Sequence, residues 1–100
     1  MFQNNILKLG GSLKLGRTSV SSSYTASTTD FFVGADTSNA AFQITLADAG
    51  QMLDGQMLVI KDEGGVANSN NITVAASGAQ TIDGQNQVVL ESPYASIQLY

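Results

Sequence analysis

Along most of this chain, apolar and polar positions alternate in short runs cut by glycine-rich and asparagine-rich breaks. That is the pattern of short strands rather than helices. Residues 57–76 (MLVIKDEGGVANSNNITVAA) set the theme. Met57 to Ile60 is a continuous apolar run. Lys61, Asp62 and Glu63 break it, and Gly64-Gly65 supply a backbone free to take positive φ. Asn68 to Asn71 suit a turn, and Ile72, Thr73 and Val74 resume the strand pattern. Phe42, Ile44 and Leu46 share one face of the cleanest half-buried strand, with Gln43 and Thr45 on the other. Tyr24-Thr25, Phe31–Val33, Gln80–Asp83, Val88–Leu90 and Ala95–Tyr100 add further strands, and Asp83-Gly84 is a hairpin-type turn. Ala47 to Asp54 reads equally as one helical turn or a loop. About eight short strands with frequent turns predict an all-β fold, a small antiparallel β-sandwich or barrel. The predicted core is Phe32, Phe42, Ile44, Leu46, Leu58, Ile60, Ile72, Val74, Ile82, Val88, Leu90, Ile97 and Leu99.

Residues 1–23 stand apart as an extended N-terminal arm, with the β-rich body predicted over 24–100. Leu7-Lys8-Leu9-Gly10 recurs as Leu13-Lys14-Leu15-Gly16, with Gly10-Gly11 as a joint. Each copy alternates apolar and basic residues, and two copies are too few to stack into a core. Such a segment either stays disordered or adds itself as a strand to another surface. Charge marks the same boundary. Lys8, Lys14 and Arg17 lie in the first 20 residues, which hold no acid, whereas the other 80 set Lys61 against all eight acids of the chain. An acidic body argues against nucleic acid as its partner, because phosphate binding needs clustered Lys and Arg.

The chain has 100 residues and no cysteine or histidine. That predicts a domain too small for a generous core, with neither disulfide nor structural zinc to support it. Oligomerisation is the remaining remedy and is expected. No apolar run reaches membrane-spanning length, and Lys8 interrupts Ile6–Leu9 where a signal peptide would need an unbroken run. Without histidine there is no Ser-His-Asp arrangement; a Ser-Lys pair using Lys61 has nothing else in its favour. Asp62-Glu63 reads as a solvated turn pair, with calcium or a partner contact as the lesser reading. Asp36, Asp54 and Asp83 read as turn residues, and the alternating ligands of a calcium loop are absent. Gly64-Gly65 lacks the context of a phosphate loop. Asn71-Ile72-Thr73 matches the glycosylation triplet, which has meaning only in a secreted chain. Tyr24, Tyr94 and Tyr100 suit a core edge or subunit interface, and as the lesser reading a sugar platform.

Five segments in order, residues 24–34 (YTASTTDFFVG), 55–65 (GQMLVIKDEGG), 70–76 (NNITVAA), 80–84 (QTIDG) and 91–100 (ESPYASIQLY), resemble a small β-domain of bacteriophage virion proteins found in head fibres, capsid decorations and tail fibres. The resemblance implies a non-enzymatic virion component without cofactor or metal, commonly a homotrimer, assembled in the host cytoplasm. The resembling domains continue after the last strand into a further turn and an aromatic strand, so the edge beside Ile97 and Leu99 is expected to be covered by a partner or by further chain.

Without repetitive shaft sequence, capsid decoration is expected rather than a fibre. Leu7, Leu9, Leu13 and Leu15 are the expected apolar anchors, and Lys8, Lys14 and Arg17 the cations that meet acidic groups on the major capsid protein or another virion protein. The alternative is a receptor-binding tail-fibre tip that reads surface glycan, separable by a glycan array. A hydrolase fragment is the third reading, tested by incubation with capsular polysaccharide.

Overall fold

The computed structural model describes residues 10–100. Eight strands form: β1 (Arg17–Val20), β2 (Tyr24–Thr25), β3 (Phe32–Ala35), β4 (Phe42–Thr45), β5 (Leu58–Asp62), β6 (Ile72–Ala75), β7 (Gln87–Leu90) and β8 (Ser96–Leu99). They make two four-stranded sheets in the orders β1-β3-β5-β8 and β2-β4-β6-β7, facing each other as an open sandwich. The fold is all-β, as the alternation predicts, and not a barrel, because each sheet keeps two free edges.

The expected antiparallel pairing is corrected to a mixed one. β1-β3, β3-β5, β2-β4 and β4-β6 are parallel, and only β5-β8 and β6-β7 are antiparallel. The reason lies in the connections. Through β6, each turn carries the chain across to the opposite sheet rather than back beside the strand it has just left. Successive visits to a sheet therefore run in one direction, as in a short solenoid. β7 then pairs back on β6 and β8 on β5, closing the stack with an antiparallel layer.

Parallel register stacks like on like. Thr18, Val33, Ile60 and Ile97 form one inward row of the first sheet. Tyr24, Ile44, Val74 and Val88, and beside them Phe42, Ile72 and Leu90, form the rows of the second. Val33, Ile44, Ile60, Ile72 and Val74 are fully buried, with Phe42, Leu58 and Leu90 nearly so. Leu46, Ile82, Ile97 and Leu99 pack against this core half-buried, and Val88 is half-buried as well.

Two expectations change, and one open reading is resolved. Phe32 is half-buried on the outer face, and Val33 is the residue that points inward. A continuous Phe-Phe-Val run carries no phase of its own, and pairing with β5 chooses it. The Gln80–Asp83 strand shrinks to a bridge between Ile82 and Gln85 around Asp83-Gly84, both at positive φ (49° and 84°) as a tight primed turn needs. Within Ala47–Asp54, Ala49–Gln51 form one 3₁₀ turn, with the Asp48 carboxylate accepting from the Gly50 N–H at 2.8 Å. The boundary between arm and body also moves. Arg17–Val20 are a strand of the sheet, so the residues ahead of the fold among those described are 10–16.

Candidate functional site

The expected anchors separate into three groups. Leu7, Lys8 and Leu9 lie outside the described residues. Leu13, Lys14 and Leu15 are exposed ahead of β1, with Leu13 at 56% and Leu15 at 45% exposure. Only the Gly16 carbonyl is tied to the body, accepting from the Phe32 N–H at 3.2 Å. Arg17 is already committed within the fold. Its guanidinium forks onto the Glu63 carboxylate and lies 5.3 Å from the Phe32 ring centre. The hydrogen bond from Arg17 holds the Glu63 carboxyl below its ordinary range and pushes the Arg17 guanidinium up. Arg17 is thereby a link between β1 and the β5–β6 turn rather than a free cation for a partner.

Gly34 makes room for that pair. A Cβ at Gly34 would run into the Glu63 carboxylate and come within 2.9 Å of Arg17 Nη2. Gly34→Ala is therefore expected to open the ion pair while leaving the melting temperature almost unchanged, since exposed pairs contribute little. The check is thermal melting at low and high salt: the parent loses a little stability with salt, and the variant does not.

Asp62, expected in a solvated turn, is fully buried. β5 alternation places it on the same inward face as Leu58 and Ile60. Oδ1 accepts from the Thr37 hydroxyl at 2.7 Å and the Gly65 N–H at 3.0 Å; Oδ2 accepts from the Ala67 and Tyr94 N–H groups, each at 3.0 Å. Burial pushes the Asp62 carboxyl up, and the four hydrogen bonds together outweigh it, so it sits below its ordinary value. Four donors fill the acceptor capacity of one carboxylate. Asp62 is thus a structural knot with no room for a proton transfer or a cation. Thr37, also fully buried, joins it: its hydroxyl accepts from the Val66 N–H at 3.2 Å, and its carbonyl accepts from Asn70 Nδ2 at 2.7 Å.

At the other end of the sandwich the space between the sheets opens into a cleft of about 600 Å³. Leu46, Met52, Leu58, Ile82 and Leu99 give it apolar walls, and Asp30, Asp54 and Asp83 lie along it. The walls are pinned in place. Gln80 Nε2 donates to Asp48 at 2.6 Å and Gln80 Oε1 accepts from the Ala49 N–H at 3.0 Å, while Gln56 Nε2 donates to the Thr28 carbonyl at 3.0 Å. Asp30 is occupied by the Tyr24 hydroxyl at 2.6 Å, the Thr18 hydroxyl at 3.0 Å and the Ser27 N–H at 2.9 Å. Leu53, 76% exposed, and Tyr100, 99% exposed, stand at the mouth. Among the described residues no cluster of three His, Cys, Asp or Glu side chains could hold a metal.

The three tyrosines do not converge on one platform. Tyr24 is half-buried on Asp30, Tyr94 lies at the Asp62 end over Gly65, and Tyr100 is at the cleft. The expectations drawn from the sequence include neither the cleft nor the Asp62 knot. The signal for the knot was present in the i, i+2, i+4 spacing of Leu58, Ile60 and Asp62. The cleft had none, because it depends on how the ends of the two sheets splay. Set against family models, curated proteins and solved structures, the chain matches none of them.

Proposed function

We propose that this chain is a non-enzymatic structural protein of a bacteriophage virion, a capsid decoration of the head-fibre or cement type. The residues ahead of β1 hold it to the shell, and the acidic β body faces outward as a homotrimer. The observation that carries the reading is the Leu-Lys-Leu-Gly motif that occurs twice ahead of β1: the copy within residues 10–16 is exposed throughout and hydrogen-bonded to the body at Gly16. An extended strand with apolar residues on one face and charge on the other is the peptide half of a strand-addition contact. The basic charge of the lead segment against acidic groups on the major capsid protein, or another virion protein, supplies orientation and rate of encounter. The ordered resemblance of residues 24–100 to phage virion β-domains is what points to a particle.

Deleting residues 2–15 keeps Gly16 and β1 and so spares the sheet. The truncated chain is expected to keep the parent's circular dichroism and to stop sedimenting with particles. A truncated chain that still sediments with them overturns the anchoring role.

A further inference from the structure

We infer that the cleft between the open ends of the sheets is the receptor for Leu13-Lys14-Leu15 of a second copy of this chain. The inference rests on the reading of the lead segment as a docking element, and it leaves the earlier motif, Leu7-Lys8-Leu9, for the shell.

Three observations commit the cleft to that occupant. The first is shape. Leu13 and Leu15 are two residues apart, so in extended backbone both side chains leave one face while Lys14 leaves the other. The cleft offers apolar walls of Leu46, Met52, Leu58 and Leu99 within about 600 Å³, room for two leucines and the backbone between them.

The second is charge. Asp54 and Asp83 lie at the cleft, and neither carboxylate is paired with a cation among the described residues, whose only ion pair is Arg17–Glu63. Lys14, directed away from the walls, reaches that acidic rim with its long stem.

The third is reach. β1 starts at the same end of the sandwich as the cleft, because Arg17 pairs with Phe32, Phe32 with Val59, and Leu58 with Leu99. Leu13, Lys14 and Leu15 are nevertheless exposed, and none of them lines the cleft of their own body. A neighbouring copy is therefore what the segment meets. Exchange of this kind buries the exposed leucines and closes the open end of a partner's core, and repeated around an axis it gives a cyclic oligomer.

The chain has no cysteine, which makes a directed cross-link decisive. Leu15→Cys and Leu53→Cys are made in separate chains, mixed and oxidised. Since each chain carries one thiol, a disulfide between the two variants reports contact between copies. A heterodimer is expected for this pair. It is not expected when Leu15→Cys is mixed with Val89→Cys, whose thiol lies on β7 away from the cleft. In parallel, Leu13→Glu/Leu15→Glu in the full chain is expected to keep the parent's circular dichroism and sediment as a monomer where the parent is an oligomer.

A parent that is itself monomeric, equal cross-linking to the Val89 position, or a double-Glu variant that keeps the parent's oligomeric state overturns the inference. Particle sedimentation separates it from the anchoring role. A double-Glu chain that stays oligomeric but loses particles leaves anchoring standing without exchange. One that becomes monomeric yet still binds particles leaves exchange standing without these leucines as anchors.

Discussion

Asp62→Ala is expected to cost about 4 kcal/mol, the largest effect of any single substitution outside the apolar core. Removing the carboxylate strands three backbone N–H groups, of Gly65, Ala67 and Tyr94, and the Thr37 hydroxyl. Each unmet buried donor costs about 1–3 kcal/mol. Relief of the burial of one charge, and water entering the space, offset part of the sum. For a domain of this size, about 4 kcal/mol lowers the melting temperature by roughly 20 °C, a large share of the usual 5–15 kcal/mol of stability.

Asp62→Asn tests the charge separately. It keeps the shape but points an amide donor at backbone donors, so it is also expected to destabilise. It further changes the pH profile. A carboxyl whose folded pKa lies below its unfolded value of about 3.9 contributes stability above that value and loses it as pH falls through the folded pKa. The parent therefore weakens as pH drops below about 4. The Asn variant shows a shallower loss, the remainder coming from Asp30, Asp36, Asp48 and Glu63, whose carboxyls also sit low. Chemical denaturation at stepped pH checks both. An Asp62→Ala chain within 1 kcal/mol of the parent, or an Asn variant with an unchanged acid slope, contradicts the role of the knot.

The second large effect is expected at Gly64. A Cβ there would lie 2.6 Å from the Thr37 backbone nitrogen, 2.7 Å from Asp36 Oδ1 and 2.9 Å from the Ser38 backbone nitrogen. Two of these atoms are main chain and cannot swing aside, so the 36–38 turn must move, taking with it the Thr37 hydroxyl that serves Asp62. Overpacking of this kind costs about 3 kcal/mol. The neighbouring Gly65 is the instructive contrast. It takes φ of +79° and lies under the far end of the Tyr94 ring. The ring is an exposed side chain that can rotate away, which leaves a backbone strain of about 1–2 kcal/mol. Gly64→Ala is therefore expected to melt lower than Gly65→Ala, although Gly65 alone has the backbone conformation that favours glycine. The reverse order would show that the contact with the 36–38 turn is not what holds this end together.

Strand positions were legible in the sequence because they depend on local alternation. Phe42 and Ile44, Leu58 and Ile60, and Ile72 and Val74 face the core as their spacing predicts. Pairing direction was not legible. A turn after a short strand looks the same whether it leads to the hydrogen-bonded neighbour or across to the facing sheet, and here most lead across. Small buried residues such as Ala26, Ala35 and Ala67 were missed because alanine is neutral in an apolar pattern, and burial reaches it through packing density alone.

At the candidate site, the alternation of Leu13-Lys14-Leu15 was legible, and the pairing of Arg17 was not. Its partner Glu63 is 46 residues away, and only the β1-β3-β5 order brings them together. Asp62 was misassigned for the opposite reason: a charged residue beside another charge reads as surface unless the strand phase is carried one step further.

The proposed role is tested most directly by electron cryomicroscopy of intact phage particles carrying this chain. Density for the two-sheet body is expected on the outer face of the shell, with the residues ahead of β1 in contact with a neighbouring copy and with the shell protein. A map that places the body away from the shell, or the lead segment in open solvent touching no other chain, contradicts it.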